Sequence, residues 1–147
     1  MREILSHEMK DKLEKKLLGL HGRQLLDCRL EAEAWLESER VCARITVQRR
    51  DKSLHYPMEA AVLIGDDSKA VVEESLWLAF DFLGYYLGEY VASGGEVLLT
   101  LDWKLVTFGD REVYARGWER NLALEDAADR FLAGEEIDED ALRKTRR

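Results

Sequence analysis

From Leu26 to Ile64 the chain alternates apolar and polar residues, and this alternation constrains the fold more than any other feature of the sequence. Leu26, Cys28, Leu30, Ala32, Ala34 and Leu36 alternate with Asp27, Arg29, Glu31, Glu33, Trp35 and Glu37. Val41, Ala43, Ile45 and Val47 then alternate with Cys42, Arg44, Thr46 and Gln48. A period of two residues belongs to a strand with one dry and one wet face. A two-residue turn at Ser38-Glu39 sets Leu36 opposite Val41, Ala34 opposite Ala43, Ala32 opposite Ile45 and Leu30 opposite Val47. Each apolar residue thereby meets an apolar partner, and a slip of one residue would expose them all. The turn has neither Asn-Gly nor Gly, so a longer loop is an open alternative. A second turn, Arg50 to Ser53, leads into Leu54, Tyr56, Met58, Ala60, Val62 and Ile64. Pro57 has no ladder donor, which favours an edge strand or a bulge there. Residues 24–64 therefore read as a three-stranded antiparallel meander.

Helical periods flank this region. Ile4, Leu5, Met9, Leu13, Leu17 and Leu18 recur at helical spacing, predicting an amphipathic helix from Arg2 to Leu18 that ends at Gly19 and Gly22. Gly65-Asp66-Asp67-Ser68 stops the meander and offers caps for a second helix. That helix, Lys69 to Ala92, is apolar nearly all round: Val71, Val72, Leu76, Trp77, Leu78, Phe80, Phe82, Leu83, Tyr85, Tyr86, Leu87, Tyr90 and Val91 crowd it, with Asp81 in their midst. A helix of this kind is covered on all sides, by the sheet or by a partner. Gly84 and Gly88 each cost it roughly 1 kcal/mol relative to Ala, which suits close approach of another backbone or a ligand. Alternation resumes from Val97 to Val106, and Gly109-Asp110 predicts a hairpin returning through Val113 to Trp118. Its register sets Leu105 opposite Tyr114, Trp103 opposite Arg116 and Leu101 opposite Trp118. Asn121 caps a short helix, Leu122 to Ala133, closed by Gly134.

The expected architecture is α+β: an antiparallel five-stranded sheet, a three-strand meander plus a hairpin, packed on one long apolar helix in the order α-βββ-α-ββ-α. Residues 1–134 form one domain. Residues 135–147, EEIDEDALRKTRR, form a charged C-terminal tail.

Composition narrows the function. The 147 residues carry 22 Lys+Arg against 30 Asp+Glu, a formal charge of −8. This is the wrong sign for a general nucleic-acid binder, and the terminal RKTRR is short and preceded by acids. The N-terminus has no uninterrupted apolar signal core, and the greasiest stretch, Ser75 to Gly88, is too short to span a bilayer and contains Asp81. The reading is a cytoplasmic protein without a membrane partner.

No constellation in the sequence calls for catalysis, a metal or a cofactor. Cys28 and Cys42 fall on opposite faces of the first hairpin, far apart along strands that rise ~3.3 Å per residue, and no CxxC or His-rich spacing accompanies them. They read as inert thiols. His7, His21 and His55 lie on a helix, a turn and a strand, and only His55 has a same-face acid nearby, Glu59. GxGxxG, GxxxxGK[ST], GxSxG, HExxH and EF-hand patterns are all absent. Glu31, Glu33 and Glu37 make an acidic strand face interleaved with Arg29 and neighbouring Arg44, an arrangement that stabilises a wet sheet face. Asp81 is a paired acid, a polar spot at a dimer interface, a ligand contact, or part of the exposed strip of its helix. Trp103, Tyr114, Arg116 and Trp118 form the most unusual cluster, combining cation–π stacking with the residue types that dominate binding hot spots.

Two functions follow as expectations. The first is a non-enzymatic protein-interaction or scaffold domain, chaperone-like and homodimeric. Its candidate interface or pocket residues are Asp81, Gly84, Tyr85 and Gly88 on the long helix and Trp103, Tyr114, Arg116 and Trp118 on the hairpin. Element order and acidity resemble those of the small acidic chaperones of type III secretion, dimeric proteins that hold partner segments; the likeness is one of topology and charge, with no motif. The alternative is a small-molecule-binding protein or enzyme with a pocket between sheet and helix. Tyr85, Tyr86, Tyr90, Asp81, Gly84 and Gly88 would line it, with His55 or Glu59 as the acid–base group.

Overall fold

The computed structural model describes residues 2–21, 25, 27–96 and 99–134. The elements run β1 (Arg2–Glu3), α1 (His7–His21), β2 (Cys28–Glu37), β3 (Arg40–Arg49), β4 (His55–Leu63), α2 (Lys69–Ala92), β5 (Lys104–Phe108), β6 (Arg111–Gly117) and α3 (Leu122–Leu132). Six strands form one antiparallel sheet in the order β1-β2-β3-β4-β6-β5. The α+β class, the meander and the hairpin are as the sequence predicts, and the strand count is six rather than five.

The extra strand comes from the N-terminus. Arg2 and Glu3 pair with Leu36 and Trp35 instead of opening a helix, and Ile4 N–H donates to the Ala34 carbonyl. The helix starts later because Ser6 Oγ accepts from Met9 N–H, satisfying a first-turn donor. It also runs through Gly19 to His21. Beyond the reach of β1, α1 protects the edge of β2: Glu14 Oε1 accepts from Ala32 N–H at 2.9 Å.

The first hairpin has the predicted register, with Leu36↔Val41, Ala34↔Ala43, Ala32↔Ile45 and Leu30↔Val47. Its loop is two residues long without glycine, because Ser38 takes the left-handed conformation at φ 51°. Pro57 sits in β4, which lies between β3 and β6 rather than at an edge. The ladder with β6 breaks where the proline lacks its donor: pairing stops at Met58↔Gly117 and resumes as the bridge His55↔Arg120.

Helix α2 matches its predicted limits and is capped by Ser68, whose side chain accepts from Val71 N–H. It lies on the core face of β3 and β4, with α1 along one flank. Phe82, Leu83 and Leu87 are fully buried, each contributing about 1.5–3 kcal/mol of apolar transfer. Phe82 meets Phe108 of β5 edge-on at 5.6 Å, closing the other flank. The sheet accommodates these large side chains with a row of alanines across four strands, Ala34↔Ala43↔Ala60↔Ala115. Asp81 lies on the exposed strip of the helix.

The second hairpin is shorter than the alternation suggests. β5 begins at Lys104, residues 99–103 are not strand, and Val97 and Leu98 lie outside the described residues. Leu105↔Tyr114 is formed, whereas Trp103 and Leu101 are not laddered to Arg116 and Trp118. Leu99 turns into the core instead, 3% exposed, and the Thr100 carbonyl accepts from Gly117 N–H. Gly117 makes room for this: a Cβ there would stand 3.0 Å from the Tyr56 ring and 3.2 Å from Leu99. α3 begins at the cap Asn121, as predicted. The expected C-terminal tail, residues 135–147, lies outside the described residues.

Candidate functional site

The sheet face turned away from α2 carries the most unusual chemistry. One residue along from the alanine row, the same four strands present Glu33↔Arg44↔Glu59↔Arg116, acids and bases alternating across the ladder. Glu59 is at the centre, fully buried in spite of its place on this face. Its Oε1 accepts from Arg44 Nε at 2.9 Å, with Arg44 Nη2 at 2.8 Å, and its Oε2 accepts from Arg116 Nε at 2.8 Å. Removing a carboxylate from water costs several kcal/mol, and guanidinium donors on both oxygens offset it. Arg44 also reaches Glu33, at 3.4 Å.

Tryptophans cover these guanidiniums. Arg44 lies over Trp35 at 5.0 Å from the ring centroid, and Arg116 lies over Trp103 at 4.4 Å and over Trp118 at 5.6 Å. Arg40 also lies over Trp103, at 5.8 Å from the ring centroid. Glu37 accepts from Trp35 Nε1 at 3.0 Å, fixing that indole. The next row, Trp35↔Cys42↔Ala61↔Tyr114↔Leu105, continues the apolar surface. Trp103 reaches Arg116 from the irregular segment ahead of β5, so the predicted stacking exists without the predicted ladder pair. Arg116 uses only Nε on Glu59, and among the described residues its two Nη groups make no hydrogen bond.

Both Glu59 oxygens are occupied by guanidiniums. Burial pushes the Cys42 thiol up to about 11, with Arg40 opposing and Glu37 adding, so the group stays a neutral thiol. His55 is held below the ordinary imidazole range, first by burial and then by the Arg120 charge, with Glu125 and Glu31 opposing. No group of three His, Cys, Asp or Glu able to hold a metal occurs among the described residues. No helix there is long and apolar enough to cross a membrane.

The eight predicted site residues divide between two surfaces. Trp103, Tyr114, Arg116 and Trp118 share the outer face just described. Asp81, Gly84 and Tyr85 lie on α2, on the opposite side of the sheet, and line a groove of about 210 Å³ against α1. Gly84 does not serve a close backbone approach: a Cβ there would meet only Leu17 Cδ2, at an ordinary 3.6 Å. Gly88 is half-buried on the same helix. Tyr85 and Asp81 do not meet His55 or Glu59: they line the α1–α2 groove, whereas Glu59 lies on the outer face and Phe82, Leu83 and Leu87 fill the space beneath the middle of α2. Between the sheet and the C-terminal end of α2 a hollow of about 280 Å³ does open, lined by Leu25, Cys28, Arg49, Leu54, Tyr90 and Val91, and of the predicted pocket residues it takes in Tyr90. Sequence reasoning missed Trp35 and the central role of Glu59. Its own register placed Arg44 beside Glu33, and extending that register to the third strand would have placed Glu59 next in line.

The chain matches no protein-family model, no curated protein and no solved structure.

Proposed function

We propose that the protein is a non-catalytic protein-interaction domain, active as a homodimer, whose outer sheet face receives a partner segment. The observation that carries this reading is the buried Glu59, which holds Arg44 and Arg116 in fixed orientation against the rings of Trp35, Trp103 and Trp118. Tryptophan, tyrosine and arginine are the residues through which interfaces concentrate binding energy, and a pre-ordered side chain loses less entropy on binding. The uncommitted Nη pair of Arg116 suits a carboxylate, which a guanidinium binds in bidentate fashion. The preferred partner is an extended segment that sets an acidic side chain beside an apolar one. A net charge of −8 argues against nucleic acid in this role.

The test is selection of a random displayed peptide library on the wild-type protein, counter-screened on Arg116→Ala and Trp118→Ala. Enriched peptides should carry an acidic residue and lose at least tenfold in affinity for both variants, whose circular dichroism matches the wild type. Failure to enrich any peptide above a folded acidic control protein, or equal binding to all three proteins, overturns the assignment of this face.

A further inference from the structure

We infer that α3 of one protomer docks into the α1–α2 groove of a second copy. This inference rests on the homodimer reading and names the surfaces that form it. α3 is an amphipathic helix only partly covered by its own chain: of its apolar stripe, Leu124 and Ala127 are half-buried, Ala128 and Phe131 are exposed, and no residue of the helix is fully buried. Phe131 and Leu132 are 63% and 82% exposed. An isolated helix of 11 residues is marginal in water, so its apolar stripe needs cover.

The groove offers matching cover. Leu13, Leu17, Trp77 and Gly84 line its floor, and Leu20 and Tyr85 lie exposed at one end. It continues toward Met9 as a second hollow of about 300 Å³ that shares Leu13, Lys16 and Trp77 with the first. From Met9 to Leu20 a helix rises ~16 Å, the same span as α3 at ~1.5 Å per residue. Of the eight large apolar side chains left exposed among the described residues, five belong to these two surfaces. The same chain's α3 lines neither hollow.

Charge sets the orientation. Lys12 and Lys16 rim the α1 side of the groove, and Asp81 rims the α2 side. One edge of α3 carries Asp129 together with Glu125, whose two oxygens are already held by Arg120 at 3.2 and 2.7 Å, so Asp129 is the acid this edge offers; the other edge carries Arg130 with Asp126, paired at 3.4 Å. Docking the stripe on the groove floor brings the acidic edge to the lysines and Arg130 toward Asp81. A two-fold exchange of this kind makes both contacts equivalent and closes the dimer.

The experiment is light scattering on a size-exclusion column with wild type, Phe131→Asp, Trp77→Asp and an equimolar mixture of the two variants. The wild type should be a dimer, each variant alone a monomer, and the mixture should regain dimers, because one intact α3 still meets one intact groove. A wild-type monomer overturns both this arrangement and the homodimer reading. A dimer insensitive to both substitutions, or a mixture that stays monomeric, overturns this arrangement and leaves the homodimer reading standing. Should either variant misfold, Lys16→Glu is expected to weaken the dimer and Lys16→Glu with Asp129→Lys to restore it; absence of that rescue is equally fatal.

Discussion

Two rows of side chains, adjacent along the same four strands, face opposite ways and are built on opposite principles. The inner row is Ala34, Ala43, Ala60 and Ala115; the outer row is Glu33, Arg44, Glu59 and Arg116. The inner row is as small as a side chain with a Cβ can be, and it lets the large residues of α2 pack against the sheet. The outer row uses the longest charged side chains available and encloses a carboxylate under tryptophan and arginine. Close packing explains the first economically. The second makes little sense as a stability device, since a buried ionic cluster seldom outperforms apolar residues of similar volume. Its cost is better understood as the cost of holding two guanidiniums and three indoles in a fixed pattern.

That contrast can be broken from either side. The largest effect is expected on the inner side: Phe82→Ala should cost about 3–5 kcal/mol in urea unfolding, because α2, β5 and the sheet all close around that ring and leave a cavity when it goes. A loss below about 1 kcal/mol would mean that the core is not centred on α2. Next comes Glu59→Met, expected to cost about 2–4 kcal/mol by leaving Arg44 and Arg116 to face each other. Combining it with Arg44→Leu and Arg116→Leu should recover stability to within about 1 kcal/mol of wild type. Were the triple variant as unstable as the single one, the outer row would be a stabilising element after all.

The smallest effect concerns pH at the rim of the outer face. The pKa of His55 is lower in the folded chain than in the unfolded one, so the unfolded state takes up its proton first. Its contribution is therefore fully present above the unfolded value of about 6.5 and is lost as pH falls through the depressed native pKa. Urea midpoints at pH 7.5 and pH 5 should accordingly differ more for wild type than for His55→Gln. An identical pH dependence in the two proteins would show that the imidazole is not desolvated.

Much of this molecule was legible in the chain. Strand alternation determined the meander and its register, because a one-residue slip would turn every apolar side chain outward. Continuous hydrophobicity and the Ser68 cap determined α2, and Asn121 and Gly109-Asp110 marked the start of α3 and the last turn. The tertiary structure alone decided the rest. Arg2 and Glu3 became a strand because the edge of β2 offered partners near Trp35 and Leu36 that no local pattern announces. Leu99 left the alternating line because Gly117 opened a place for it beside Tyr56, which frees Trp103 to reach Arg116 from a bend. The predicted site split in two for a similar reason: sequence shows which residues are unusual, but only the sheet between them decides which face each one meets. Periodicity is a local property that the backbone enforces residue by residue, whereas the company a side chain keeps depends on chain segments far away in sequence.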